Sequence, residues 1–344
     1  MTIRILLSGL LVLATLYAYI DPYDPKLVGG DRYLVFEGTL TDAVGPYRFT
    51  LSQSAGYNSL ESVFDQRVTG AGVSVTDGDG AVVRFLDVGR GTYESPPGFR
   101  GKTGKRYVLT VTYREQTYQS APEVMQPVPP IDSVYWQYQA KPTTVQPGYF
   151  TTYLNLTDPA ATENQYQWDW IHYDQPGYCV LFRPDGPATF AKPCCTNYWN
   201  ITRSSGTSLL ASDRLINGKR LLGQAITEVP FDDITPYYLA IGQQSLSREA
   251  FQYWQTVQAL TSNVGGVFDA TPATLRGNIC NVNADGPPML GFLQVSARRQ
   301  TVVYVSRLGA PGQPFAQNVY PVWPTCEPCV ESLFRTAIRP EGWQ

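Results

Sequence analysis

The sequence predicts an all-β protein made of two successive β-sandwich domains, the second of which carries one helix. Three observations predict this class. Only 16% of the 344 residues are charged, whereas 30 glycines, 27 prolines and 23 tyrosines are present; ordinary soluble proteins have about 25% charged residues. Short runs of alternating apolar and polar residues recur between turn residues, as expected for β-strands. A proline-rich stretch divides the chain, whose length suits two domains.

The proline-rich stretch at 127–133 predicts a stiff linker. Pro127, Pro129 and Pro130 each fix φ and lack a backbone donor, so they do not fit inside a helix or a central strand. The segments on either side, 27–126 and 134–344, are each long enough to bury a core of their own. We therefore predict the domain boundary here.

The first domain, 27–126, is predicted to be an immunoglobulin-like or transthyretin-like sandwich. Its alternating runs form three predicted strand pairs, at 32–40 with 47–51, 68–75 with 81–85, and 105–113 with 116–118. Asp77 and Asp79 lie in the turn of the second pair. They lack the remaining ligands of a calcium loop and are interpreted as turn residues.

The second domain, 134–344, is predicted to be a larger β-sandwich and contains a row of aromatic residues. Tyr166, Trp168, Trp170 and His172 alternate along one predicted strand and therefore share one face of it. Such rows stack ligands or anchor partners, so Tyr166, Trp168 and Trp170 are candidate ligand-binding or partner-binding residues. The alternative is that this face forms the sandwich core, with His172 as a structural residue.

The same domain contains the predicted helix, near 247–262. Ser247 can cap its first turn, and Glu249 favours the helix dipole there. Apolar residues recur at helical spacing at Phe251, Trp254 and Val257. A single helix on a sandwich is expected to be structural.

Residues 1–19 are predicted to form a secretory signal peptide, so the protein is expected to be exported. Arg4 precedes an apolar run at 5–16 that is short for a membrane span, and small and polar residues follow it. The alternative is a buried N-terminal strand or helix. Tyr19 occupies the position at which a bacterial lipoprotein would carry the lipid-accepting cysteine, and its phenol cannot form the thioether.

All the cysteines fall in the second predicted domain, and an even number in an exported chain favours disulfides. The six candidates are Cys179, Cys194, Cys195, Cys280, Cys326 and Cys329. Cys326 and Cys329 also have the spacing of a redox dithiol, and several converging thiols could bind zinc. A structural disulfide is the favoured interpretation, and the pairing stays open.

Composition argues against several function classes. The formal net charge is −3 and no run of Lys or Arg occurs, so a nucleic-acid partner is not expected. His172 is the only histidine, which argues against multi-histidine metal sites and most histidine-dependent hydrolases. We predict no catalytic residues, no metal site and no cofactor.

Several segments together resemble a known protein family. They are IDPYDP at 20–25, LVFEG at 34–38, PVPPIDS at 127–133, SREAFQYW at 247–254, FDATP at 268–272, GNI at 277–279, LGF at 290–292, and Cys326 and Cys329 followed by PEGW at 340–343. The series resembles the Bacteroidota outer-membrane lipoproteins of domain-of-unknown-function family 4249. The resemblance implies a surface accessory protein whose partner is a TonB-dependent outer-membrane receptor, with no established catalytic residues. Tyr19 departs from the family at the lipidation position.

The leading functional hypothesis is a non-catalytic cell-surface subunit that helps a TonB-dependent transporter to capture or cover its cargo. A structural or adhesive component of an outer-membrane secretion or gliding apparatus is the alternative. A surface hydrolase with paired carboxylates is a third, although no spacing in the sequence marks such a pair.

Overall fold

A computed structural model describes most of the chain. The described residues are 32–54, 66–144, 146–160, 163–175, 198–204, 209–214, 217–262, 275, 277–283, 285–314 and 329–344, together with the backbone of two strands within 180–191. They form an all-β structure with one helix, as predicted. No described helix is both long and apolar enough to cross a membrane.

Ten strands form the sheet that contains the first predicted domain. Eight of them come from the N-terminal part of the chain: β1 (Leu34–Thr41), β2 (Arg48–Gln53), β3 (Gly72–Asp77), β4 (Val82–Gly89), β5 (Thr92–Glu94), β6 (Arg106–Tyr113), β7 (Gln116–Ser120) and β8 (Glu123–Val124). The three predicted pairs, β1–β2, β3–β4 and β6–β7, are all antiparallel neighbours. Asp77 closes the β3–β4 turn by accepting hydrogen bonds from the backbone of Asp79 and Ala81, which confirms the turn.

Two strands from far along the chain complete this sheet. β18 (Ile279–Asn281) pairs with β7, and β19 (Met289–Ser296) runs parallel to β1 from Leu34↔Met289 to Thr41↔Ser296. Leu293 of β19 is fully buried in the same core as Phe36 of β1. The predicted boundary, which assigned all of 134–344 to the second domain, is therefore corrected. Strand pairing between distant segments leaves no local sequence signal, so the proline-rich stretch alone could not reveal this return.

The predicted linker is packed between two units of the structure. The first unit is built on the ten-stranded sheet, and the second unit contains the remaining sheets. Val128 is buried in the core of the first sheet, while Ile131 packs against the core of the second unit. The Pro129 carbonyl accepts a hydrogen bond of 2.8 Å from Nε2 of Gln243. The 127–133 segment is thus an ordered part of the interface.

The second unit contains a sandwich of a three-stranded and a six-stranded sheet. The first has the order β16-β10-β9, and the second has the order β20-β17-β11-β14-β21, with β15 also paired to β11. A separate hairpin joins β12 to β13. The strands are β9 (Ser133–Ala140), β10 (Gly148–Thr157), β11 (Gln165–Asp174), β12 (Val180–Arg183), β13 (Gly186–Ala191), β14 (Trp199–Arg203), β15 (Leu209–Ser212), β16 (Arg220–Pro230), β17 (Tyr237–Leu246), β20 (Arg298–Val305) and β21 (Arg335–Thr336).

The side chains of β11 alternate between the two faces of the six-stranded sheet. Trp168 is buried in the sandwich core together with Leu154 and Leu239. Its indole donates a 2.8 Å hydrogen bond to Oε1 of Gln243, so the one polar atom of this large ring is satisfied. On the other face, Asp169 forms a bidentate ion pair with Arg298, whose two terminal nitrogens donate to the carboxylate oxygens at 2.5 and 2.7 Å.

A buried amide cluster joins this second face to β19 and to the helix α1 (Arg248–Ser262). Nε2 of Gln294 donates to Gln167 at 2.9 Å and to Gln244 at 3.2 Å. Trp254 of α1 donates its indole N–H to Oε1 of Gln294 at 2.6 Å. The predicted cap is confirmed, because Oγ of Ser247 accepts from the backbone of Ala250 at 3.1 Å.

Candidate functional site

A groove opens at the end of the sandwich where β11 ends. Its cavity volume is about 1040 Å³. Aromatic and acidic side chains dominate its lining, which comes from β11, β14, the end of β16, the β16–β17 connection, the start of β17, the residues after β20 and the last residues of the chain. The lining residues are Trp170, His172, Tyr173, Asp174, Gln175, Asn200, Thr202, Glu228, Pro230, Asp232, Asp233, Thr235, Pro236, Tyr237, Arg307, Trp343 and Gln344.

Three side chains form a stacked floor in this groove. The rings of His172 and Tyr237 are 3.6 Å apart and inclined by only 7°. The Arg307 guanidinium lies 5.7 Å from the centre of the Tyr237 ring. This arrangement fixes a flat, partly aromatic surface.

The Arg307 guanidinium is held by the connection between β16 and β17. It donates to the carbonyl of Thr235 at 2.7 Å, to its hydroxyl at 3.0 Å and to the Pro230 carbonyl at 3.2 Å. Its ion pair with Asp232 is 2.5 Å long, and its side chain is 6% exposed. Arg307 therefore shapes the groove by fixing the connection between two sheets.

Replacing Arg307 by alanine is expected to lower the free energy of unfolding by about 2–3 kcal/mol. The change removes the charge that pairs with Asp232 and leaves backbone carbonyls without their donor. Arg299→Ala is the matched control, because Arg299 is 55% exposed and its ion pair with Asp42 is worth less than about 1 kcal/mol. Denaturant unfolding measures both, and equal effects would contradict the role given to Arg307.

His172 is a neutral hydrogen-bonding group in this floor. Its Nδ1 lies 2.8 Å from the carbonyl of Tyr238, which can only accept, so Nδ1 carries the proton and Nε2 is an acceptor. Burial lowers the pKa of His172 below its ordinary value, against the opposing effect of that hydrogen bond. Burial also raises the pKa of the Tyr237 phenol, which stays protonated.

The groove has an excess of negative charge. Four carboxylates line it against one guanidinium, a net charge of −3 among the described lining residues. Burial opposes ionisation of Asp233, but hydrogen bonds from Thr235 and Ile234 lower the pKa of its carboxyl. Asp174 and Glu228 are exposed, and no described cation lies within ion-pair distance of them. These two carboxylates are available to a ligand.

The row of aromatic residues predicted as a binding surface is divided by burial. Tyr166 and Trp168 are 2% and 0% exposed in the sandwich core, so the prediction that they contact a ligand is corrected. Trp170 packs against that core and also lines the groove, next to His172. The alternation places all four residues on one face, but the face runs from the core into the groove.

The predicted cysteine and lipidation positions are only partly described. Cys280 is exposed, Cys329 is half-buried, and both carry free thiols. Cys179, Cys194, Cys195 and Cys326, the other disulfide candidates, lie outside the described residues, as does Tyr19. Within the described part of the chain, no group of three or more His, Cys, Asp or Glu side chains could hold a metal ion.

Several groove residues had no sequence signal. Arg307 and Asp232 lie in unremarkable turn sequence, and only the folded chain brings them together. Trp343 belongs to the PEGW segment. That segment contributed to the family resemblance, but the resemblance implied no role for Trp343. Its ring centre is 5.5 Å from that of Tyr238 and 5.9 Å from that of Trp199, which holds the last residues against the six-stranded sheet.

The family model described as "Domain of unknown function (DUF4249)" matches residues 20–301. This all-β chain, with its aromatic and acidic groove, therefore belongs to the DUF4249 family, which confirms that part of the resemblance found in the sequence. No curated protein matches the chain.

Proposed function

We propose that the protein is a non-catalytic binding subunit whose groove takes a cationic, partly apolar ligand. The observation that carries this proposal is the combination of exposed carboxylates with aromatic rings in one groove of about 1040 Å³. A cavity of this size suits a peptide-sized or small-molecule ligand. Carboxylates attract a cation, and aromatic faces bind its charged group or its apolar stem.

The cellular setting of the proposal comes from the family resemblance. We infer an exported, cell-surface accessory protein, of the kind that Bacteroidota outer-membrane lipoproteins represent, acting beside a TonB-dependent receptor. In this role the groove captures or covers cargo for the receptor. Its ligand is then either the cargo itself or a basic segment of the receptor.

Neutralising the exposed groove carboxylates is expected to weaken binding of a cationic probe about tenfold. The variant is Asp174→Asn with Glu228→Gln, and the probe is a lysine-rich peptide that contains aromatic residues. Each surface charge contributes up to about 1 kcal/mol, and about 1.4 kcal/mol corresponds to a factor of ten in affinity. Titration calorimetry at low ionic strength measures the effect, which should shrink as added salt screens the charges.

The control for this experiment carries the same two kinds of change away from the groove. Asp285→Asn with Glu115→Gln alters the net charge equally, at exposed sites of the first unit. This variant should retain wild-type affinity. Equal weakening in both variants, or equal binding of a glutamate-rich peptide, would contradict a cationic-ligand groove.

The inferred partner is tested separately, by pull-down of the tagged full-length chain from its native cells in mild detergent. A stoichiometric TonB-dependent receptor in the eluate is the expected result. A secretion or gliding component in its place would favour the structural alternative. Recovery of the chain alone would contradict the receptor proposal.

A further inference from the structure

Three side chains of β11 form a row inside the groove. Trp170, His172 and Asp174 alternate along the end of this strand, so they project from the same face of it. All three line the groove. Residues two apart on a strand are separated by about 7 Å, which places the imidazole of His172 between an indole and a carboxylate.

The imidazole of His172 is fixed in one orientation. Its Nδ1 donates to the Tyr238 carbonyl at 2.8 Å, and its ring lies 3.6 Å from the Tyr237 ring at an inclination of 7°. A half-turn of the ring would bring a C–H group to the carbonyl and would lose the hydrogen bond. Stacking on Tyr237 restricts smaller rotations. The tautomer and the direction of the ring are therefore both set by the protein.

The second ring nitrogen of His172 is an acceptor without a donor. Nε2 lies across the ring from Nδ1, so it is directed away from the backbone of β17. No described residue donates to it, yet it is not shut off from solvent. A neutral imidazole with its proton on Nδ1 has a lone pair at Nε2. The groove thus offers a fixed acceptor that carries no charge.

The exposed carboxylate of Asp174 beside His172 also accepts hydrogen bonds. A ligand group that contacts both residues must therefore donate at least two hydrogen bonds, and a positive charge strengthens the one to the carboxylate. A primary ammonium group meets both conditions, because it has three N–H donors on one compact charge. A guanidinium group is wide and flat, and its parallel donors suit the two oxygens of one carboxylate better than two separate acceptors.

We propose that the groove binds a primary ammonium group, such as that of an unmodified lysine side chain, and that His172 determines this specificity. The inference rests on the proposed function and names the kind of cation that the groove takes. The ammonium donates one hydrogen bond to Nε2 of His172 and another to the Asp174 carboxylate, and the apolar stem of the ligand lies along the Trp170 ring. Sites that prefer methylated ammonium groups surround the cation with aromatic faces. Here the cation meets a lone pair, which a methylated ammonium without an N–H cannot satisfy.

Two matched peptides test this specificity. Each is short and end-capped and carries one lysine between two aromatic residues, and in one of them the lysine is trimethylated. The two side chains have the same charge, but the trimethylated one has no N–H. Titration calorimetry with the full-length protein should show about tenfold tighter binding of the unmodified peptide, because the trimethylated peptide cannot donate the charge-assisted hydrogen bonds.

His172→Asn removes the acceptor and keeps the anchoring hydrogen bond. The shorter amide can still donate to the Tyr238 carbonyl, but no atom replaces Nε2. This variant should bind the unmodified peptide about tenfold more weakly than the wild type does. Its preference for the unmodified over the trimethylated peptide should disappear. The trimethylated peptide is the internal control, because it reports any general damage to the groove.

Nitrogen NMR of the wild type gives a measurement that needs no variant. His172 is the only histidine in the chain, so protein without a histidine tag gives the signals of a single imidazole. The free protein should show the tautomer with its proton on Nδ1. Addition of the unmodified peptide should shift the Nε2 signal to lower frequency, as acceptance of a hydrogen bond does. The trimethylated peptide should not cause this shift.

Three results would overturn the proposal. Equal or tighter binding of the trimethylated peptide would show that charge and aromatic faces alone recognise the cation. A tautomer with its proton on Nε2 in the free protein would remove the acceptor. A preference that persists in His172→Asn would assign the specificity to the carboxylates. Each of these results leaves a cationic ligand in the groove, whereas failure to bind either peptide would contradict the proposed function as well.

Discussion

A fragment containing only residues 27–126 is expected to remain unfolded. It lacks β18 and β19, and with them the buried side chains of Ile279, Met289, Leu293 and Val295. Each such side chain contributes about 1.5–3 kcal/mol by burial, so their joint loss of about 6–12 kcal/mol is as large as the usual stability of a whole domain, about 5–15 kcal/mol. Circular dichroism and the dispersion of amide proton signals measure the outcome. Cooperative unfolding of this fragment would contradict the inference that the first unit needs β18 and β19 in order to fold.

A matched fragment restores β19, the longer of the two missing strands. Residues 287–297, joined to the end of 27–126 by a flexible Gly/Ser linker long enough to return along β1, should recover dispersed amide signals. The same fusion with Leu293→Asp is the control, because a charge at this fully buried position prevents packing. Recovery in both fusions would indicate a non-specific effect of the added sequence.

Gly291→Ala is expected to destabilise the protein by about 4 kcal/mol. Gly291 lies in β19 opposite Phe36 of β1, with φ +105°, a conformation that side chains rarely adopt. A β-carbon there would collide with the backbone carbonyl of Phe36, which cannot move without breaking the parallel pairing. Backbone strain of this kind and the loss of strand pairing both destabilise the native state.

Gly78→Ala controls for the loss of glycine alone. A β-carbon at Gly78 meets its nearest neighbour, in Arg106, at 3.7 Å, which is ordinary contact. Thermal and denaturant unfolding of both variants measure the difference. A small effect at Gly291 would show that the β1–β19 pairing tolerates displacement.

Local features of this fold were predictable from sequence, and distant ones were not. The hairpins and the helix follow from alternation, turn residues and the cap at Ser247, all of which act within a few residues. The parallel pairing of β1 with β19 depends on segments with no local link. The LGF segment that contains Gly291 contributed to the family resemblance, but its sequence does not show that a carbonyl of another strand lies against it.

The candidate site was predictable to a similar extent. Alternation placed Tyr166, Trp168, Trp170 and His172 on one face, because the two-residue period of a strand is a local property. Where that face leaves the core depends on the opposing sheet, and sequence does not specify it. Arg307 is held in the site by contacts with Thr235 and Asp232, which are far from it in the chain, so the sequence did not predict its place there.

The pairing of Leu34 with Met289 also determines the order in which the molecule can be built. The first unit emerges early from the ribosome, yet its last strand is made 255 residues later. Until then β1 presents an unpaired edge and part of an open core, which are the features that promote aggregation. Closing so long a loop also slows folding. We expect the nascent chain to depend on a chaperone that shields this edge until β19 arrives.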